Sequence, residues 1–235
     1  MYVSHADGSR RDKILETTDY LGAPMGCGPG EAIIIPRWSE EHEASLWWMN
    51  LASGESRRLT EGSSDWVSDC TPDGKWMLYV GTASDRSATR LYKISTEGGA
   101  STELAKDVLQ TVKVSPNGKS VAYMRVEGQG AGTKLKFVLQ ELDRSESPRE
   151  IDAPPGSYYV GWTPDGGALT YLVVEGSARS PWMQSLKGGA PVRLLHFNEE
   201  PSFISAYRIS ADGKKIAITR AKFNDTDIVM FSNFR

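Results

Sequence analysis

Apolar residues in this chain fall into short, near-continuous runs rather than long periodic stripes. The clearest are Trp76-Met77-Leu78-Tyr79-Val80, Val121-Ala122-Tyr123-Met124, Ala168-Leu169-Thr170-Tyr171-Leu172-Val173 and Ile216-Ala217-Ile218-Thr219. Continuous rather than alternating apolarity is the mark of a strand covered on both faces. Each run follows a polar turn segment: Cys70-Thr71-Pro72-Asp73-Gly74-Lys75, Val114-Ser115-Pro116-Asn117-Gly118-Lys119, Trp162-Thr163-Pro164-Asp165-Gly166-Gly167 and Ile209-Ser210-Ala211-Asp212-Gly213-Lys214. A worn copy sits upstream at Gly28-Pro29-Gly30-Glu31. A second apolar strand follows each run, for example Arg90-Leu91-Tyr92-Lys93-Ile94 and Leu135-Lys136-Phe137-Val138-Leu139. A shorter, more polar strand comes next, such as Arg57-Arg58-Leu59-Thr60 or Arg149-Glu150-Ile151, as suits an outer edge. No segment carries a helical stripe of useful length, and the pattern predicts an all-β chain.

The turn chemistry explains the repetition. Ser or Thr accepts a local backbone hydrogen bond and Pro presets φ for the first central position. Asp or Asn suits the second, and Gly supplies the positive φ that returns the chain antiparallel. These aspartates therefore read as turn formers rather than catalytic acids. The turn glycines recur about every 45 residues, the period of a four-stranded propeller blade. The expected fold is a β-propeller of about five four-stranded blades in a single domain, 1–235. Its repeats span 19–62, 63–106, 107–153, 154–198 and 199–235, with 1–18 contributing outer strands. In one reading Met1-Tyr2-Val3-Ser4 and Asp12-Lys13-Ile14-Leu15-Glu16 act as third and fourth strands, and the N-terminal segment closes the ring by supplying the last blade's outer strand. In the competing reading the chain is the C-terminal part of a longer propeller.

At these residues the chain resembles the TolB-type, WD40-like propeller repeats known as PD40. The resemblance rests on the Ser/Thr-Pro-Asp-Gly-Lys turns and on segments such as Leu91-Tyr92-Lys93-Ile94-Ser95-Thr96-Glu97-Gly98-Gly99. It covers residues 64–235 well and 1–63 loosely. The end, Asp227-Ile228-Val229-Met230-Phe231-Ser232-Asn233-Phe234-Arg235, is similar to that of bacterial regulators carrying such a propeller behind a kinase or winged-helix domain. The resemblance implies a sensing or partner-binding module, often periplasmic or otherwise outside the cytoplasm. It is silent on activity, because propellers host binding modules and enzymes alike.

Composition narrows the classes. A net charge of -3 gives no electrostatic reason to expect nucleic acid as a partner. No apolar stretch approaches the roughly 20 residues of a membrane helix. Met1 to Gly8 lacks the charged start and apolar centre of a secretory signal, so the chain as written reads as cytoplasmic. Cys27 and Cys70 lie in different repeats without metal-ligand spacing, and we read them as two separate half-buried thiols, a disulfide being the other reading. There is no Gly-x-Ser-x-Gly elbow, and the three histidines are isolated from one another. Gly26-Cys27-Gly28-Pro29-Gly30 lacks the Gly-Lys-Ser/Thr ending of a phosphate loop.

Function is expected where loops gather, at the blade ends opposite the Pro-Asp-Gly turns. The binding candidates there are Trp38, His42, Asp65, Trp66, Asp85, Arg86, Tyr158, Tyr159, Glu199 and Phe203. Aromatic residues mixed with carboxylates make a recognition surface, since aromatics dominate contact energy; the plainer reading packs Trp66, Tyr158 and Phe203 between blades. The partner is a protein or a small-molecule ligand. The expected state is a monomer, or an oligomer if the ring is unclosed. Glu199, Glu200, Asp225 and Asp227 are candidate oxygen ligands for a calcium ion. Bound calcium would polarise an ester or lactone carbonyl, and paired acids would act on a glycosidic bond, which makes a calcium-assisted hydrolase the alternative function. Solvated surface loops are the plainer account of the same acids.

Overall fold

The computed structural model describes residues 1–4, 11–39, 44–62, 64–82, 88–128, 133–176, 178–195, 203–222 and 225–232. Among them every regular element is a strand, so no helix is long and apolar enough to cross a membrane. The chain divides into two compact units, Met1–Gln110 and Thr111–Arg235.

In the first unit, β1 (Tyr2–Ser4) pairs antiparallel with β2 (Arg11–Lys13) as a separate two-stranded sheet. The first blade contains β3 (Tyr20–Leu21), β4 (Met25–Gly26), β5 (Ala32–Trp38), β6 (Ala44–Asn50) and β7 (Ser56–Arg58). Both β3 and β4 pair with β5, as two halves of an inner strand broken at Gly22-Ala23-Pro24. Proline has no amide to donate to a ladder, which accounts for the break. The second blade orders β8 (Asp65–Cys70), β9 (Trp76–Thr82), β10 (Thr89–Ser95) and β11 (Thr102–Lys106) as a simple meander. Ile34 and Leu46 of the first blade share one core with Met77 and Ile94 of the second. The Arg57 guanidinium, stacked over Trp48, donates from Nε to the Thr96 carbonyl at 2.8 Å and so ties the two blades along their outer edges.

Two further four-stranded sheets and one of three strands follow. The third blade is β12 (Val108–Val114), β13 (Ser120–Glu127), β14 (Lys134–Glu141) and β15 (Arg149–Asp152), with the boundary between units falling inside β12. The fourth is β16 (Ser157–Trp162), β17 (Ala168–Glu175), β18 (Ala178–Ser185) and β19 (Val192–Arg193). The last comprises β20 (Phe203–Ile209), β21 (Lys215–Lys222) and β22 (Asp225–Ser232). The sheet of β1 and β2 lies within residues 1–18, ahead of the first blade. The expected pairing of the N-terminal segment with the last blade is not among the described strand pairings.

The second unit shows why the runs are continuously apolar. Leu169, Tyr171 and Val173 of β17 pack against Met124 and Phe137 of the third blade. Their neighbour Leu172 points the other way, into a core with Ile204, Tyr207 and Ile216 of the last blade. Successive strand residues face opposite sides, so a strand between two blades needs apolar residues at both parities. Each such side chain, fully buried, contributes about 2 kcal/mol.

The turns are nearly superimposable in their bonding. The hydroxyls of Thr71, Ser115, Thr163 and Ser210 donate to Oδ1 of Asp73, Asn117, Asp165 and Asp212 at 2.6, 2.7, 2.6 and 2.5 Å. The same oxygens accept the amides of Lys75, Lys119, Gly167 and Lys214. The turn glycine reaches a φ of 69 to 73° in all four, a region costly for other residues. In the first blade Cys27 occupies the hydroxyl position, as its amide bond to the Ala32 carbonyl (2.9 Å) matches that of Thr71 to Trp76. Here the structure corrects the reading of two separate thiols: Cys27 and Cys70 form a disulfide. Cys70 stands one residue before Thr71, the counterpart of Cys27, so the two turns meet side by side although 43 residues separate the cysteines in sequence.

Candidate functional site

Trp38 ends β5 and lies directly across from Tyr20 on β3, so the broken inner strand sets two aromatic residues side by side. Their rings meet edge to face, centroids 5.6 Å apart at 63°. Trp66, at the start of β8, meets Trp38 from the second blade at 6.1 Å and 68°. Edge-to-face contacts of this kind place the positive rim of one ring on the negative face of the next. Trp38 is half-buried and lies on the Gly22 backbone; a methyl there would come within 2.7 Å of the indole. Tyr20 and Trp66 remain 74% and 45% exposed, so the cluster is a surface feature rather than a core. Behind it, Arg37 donates to Asp19 Oδ2 from Nε and an Nη at 3.0 and 2.7 Å and stacks over Trp47, which fixes the strand end.

Asp65, adjacent to Trp66, takes a different role. It is buried at the start of β8, where the Thr60 hydroxyl and the Gly62 amide donate to its carboxylate. Burial pushes its carboxyl above the usual range, against these donors and the nearby Arg58 charge. Added methyl groups at Gly62 and Gly81 would lie 2.2 and 2.8 Å from its oxygens, so both positions need glycine. Tyr79, pushed up to about 12 by burial, donates to Ser101 at 2.8 Å and stacks on Tyr92. Asp65 is thus part of the blade's interior and does not open onto the aromatic surface.

Tyr158 stands five residues before its turn threonine, as Trp66 does, yet packs differently. Its hydroxyl donates to the Ile204 carbonyl of the last blade at 3.2 Å, and Arg179 lies over its ring. Tyr159 has a φ of 66° at a bulge in β16. Its carbonyl lies 3.5 Å from the Tyr207 hydroxyl, which donates more closely to Thr170 at 2.8 Å. The two tyrosines meet at 6.4 Å, and this pair serves packing between blades. His42, Asp85, Arg86, Glu199 and Glu200 lie outside the described residues, as do the side chains of Phe203, Asp225 and Asp227. Among the described residues no group of three or more acids, histidines or cysteines is placed to hold a metal.

Sequence reasoning missed Tyr20, whose signal is its register opposite Trp38. It also missed two grooves at the turn-bearing ends of blades in the second unit. One, of 520 Å³, is lined by Pro164, Met183, Val192, Leu194 and Ile209. The other, of 530 Å³, has a more polar lining that includes Glu141, Arg149 and Trp162.

No family model matches the chain. An uncharacterised protein of Agrobacterium fabrum is 26% identical over 167 residues, covering 67% of this chain and 51% of its own length. The chain thus spans about half the length of that relative. Among solved structures, a protein described as TolB from Agrobacterium tumefaciens superposes with a TM-score of 0.72 at 14% identity, covering 95% of this chain and 80% of its own. TolB from Acinetobacter baumannii gives 0.73 at 15% identity, covering 99% and 57%. The fold is that of a TolB-like β-propeller. Propellers of similar shape also occur in an acylaminoacyl peptidase of Pyrococcus horikoshii and in an oligogalacturonate lyase, with TM-scores of 0.65 and 0.67. At 12% and 16% identity these likenesses concern the propeller's shape alone.

Proposed function

We propose that this propeller is a binding module that engages a protein partner at the loop-bearing ends of its first two blades, with Tyr20, Trp38 and Trp66 as the contact surface. One observation carries the reading: Tyr20 and Trp66, from two blades, both meet the ring of Trp38 while each stays exposed to solvent. A large side chain held by its neighbours pays little entropy on binding, and aromatic residues dominate the energy of protein interfaces. Arg37 and Gly22 hold the Trp38 end of the cluster in place without covering it. The alternative of a calcium-assisted hydrolase rests on acids whose side chains lie outside the described residues.

The test is cross-linking and affinity capture with the full chain, comparing Trp66→Ala and Tyr20→Ala with Trp76→Ala. Trp76 is also exposed, at 38%, but begins β9 beside the turn at the other end of the blade. Loss of a binding anchor costs about 2 kcal/mol or more, roughly a thirtyfold drop in affinity. That drop is expected for Trp66→Ala, with Trp76→Ala unchanged. Equal retention of the partner by all variants would remove the proposal, as would loss on Trp76→Ala alone.

A further inference from the structure

We propose that the 520 Å³ groove between the fourth and last blades is a docking site separate from the aromatic surface, and that it takes a protein segment pairing a lysine or arginine with an apolar side chain. Its floor is where the core between these two blades reaches the surface. Leu194 is buried in that core, Met183 and Ile209 pack against it half-buried, and Val192 on the outer strand β19 is 51% exposed. The volume falls within the range of about 300–1,000 Å³ that encloses a ligand. Two carboxylates border the apolar floor, Asp165 from the turn of the fourth blade and Asp212 from that of the last.

The groove between the third and fourth blades shows that the repeat does not require this lining. Val192 lies across from Met183 on β18, as Arg149 lies across from Leu139 on β14. Asn117 holds the turn position there that Asp165 holds here. One construction thus carries an arginine and a neutral amide in the first groove, and a valine and a second acid in the other. An exposed valine on an edge strand lacks the charge that ordinarily guards such an edge, and it is stabilised when an apolar side chain covers it.

The charges specify the rest of the partner. Hydroxyl donors, aided by backbone amides, hold both carboxyls below the usual range, so both are ionised at neutral pH. Their turn bonds go to Oδ1. Lys187 lies near Asp165, and Lys214 and Lys215 near Asp212, yet none forms an ion pair with either acid among the described residues. A lysine or arginine sets its charged head against a carboxylate while its alkyl stem lies along the apolar floor. An acidic segment would meet repulsion at the same place.

The probe is a dye-labelled peptide alternating lysine and leucine, titrated with the full chain and followed by fluorescence anisotropy. Peptides with glutamate for lysine and with serine for leucine run beside it. The lysine–leucine peptide should bind tightest, and added salt should weaken it. Val192→Arg copies Arg149 into the groove, and Asp165→Asn/Asp212→Asn keeps the turn bonding that Asn117 already shows. Each should weaken binding about tenfold or more. Asp73→Asn, the same change in the second blade's turn, should leave binding unaltered. Absence of binding would overturn the proposal, as would equal binding of the glutamate peptide or an equal loss on Asp73→Asn.

Discussion

Replacing both cysteines by alanine removes a cross-link between positions separated by 43 residues. In the chain-entropy treatment the unfolded state regains about 13 cal/mol/K, or about 4 kcal/mol at room temperature. The native state also loses two sulfurs from a core with Ile34, Leu46 and Met77, which adds about 1 kcal/mol for each cavity left unfilled. The entropic part is the larger, and reduction of the unaltered chain isolates it because the sulfurs stay in place. Against a net stability of about 5–15 kcal/mol, the loss is large. For a chain of this length it corresponds to a fall of about 10 °C in melting temperature. The assay is urea unfolding of oxidised, reduced and Cys27→Ala/Cys70→Ala protein, followed by tryptophan fluorescence and far-ultraviolet circular dichroism. The reduced form should lie well below the oxidised form, and the alanine form lower still, by about the 1–2 kcal/mol of its cavities. A difference below about 1 kcal/mol between oxidised and reduced protein would show that the unfolded chain already holds these blades together, and the entropic reasoning would fail.

Two further outcomes follow from the turns and from Asp65. Hydroxyl donors, aided by backbone amides, hold the carboxyls of Asp73, Asp165 and Asp212 below the usual range. Their stabilising effect is therefore present above the ordinary carboxylate pKa and is lost as pH falls through the depressed values. Asn117 already occupies this position in the third blade, so Asp73→Asn/Asp165→Asn/Asp212→Asn should keep the turns and flatten the acid side of the melting profile; an unchanged profile would contradict it. Asp65, raised by burial, opposes this trend, because its effect weakens as pH rises. Gly62→Ala drives a methyl against the Asp65 carboxylate and should cost about 1–3 kcal/mol, while Gly26→Ala, with open space around it, should stay within about 0.5 kcal/mol in thermal unfolding. Equal stability of the two variants would show that the Asp65 pocket yields without cost.

The fold was legible because the same chemistry is written several times. Thr71, Ser115, Thr163 and Ser210 recur with an acid or amide two residues on, and the structure gives all four one bonding pattern. The site was less legible because equivalent positions do different work. Trp66 and Tyr158 each precede a turn threonine by five residues, yet Trp66 is open to solvent and Tyr158 bonds to the carbonyl of Ile204. Pattern along one strand does not report what the next blade places beside it. The disulfide was only the second reading of its cysteines and the Tyr20–Trp38 contact was missed for the same reason, since both depend on lateral neighbours rather than on spacing in sequence.

That asymmetry bears on where function lies. A repeat that obeys its own rule needs nothing beyond packing to explain its residues. In this propeller several departures gather in the first two blades: a cysteine in the hydroxyl position, a proline in the acid position, an inner strand broken at Pro24, and indoles from neighbouring blades in contact. The broken strand is what delivers Tyr20 to Trp38, and the disulfide clamps the opposite end of the same two blades. A surface of exposed rings is useful for recognition only if its two supporting sheets keep their spacing. The covalent link and the Arg57–Thr96 bond both serve that spacing, so the irregular features form one mechanical unit under the aromatic patch.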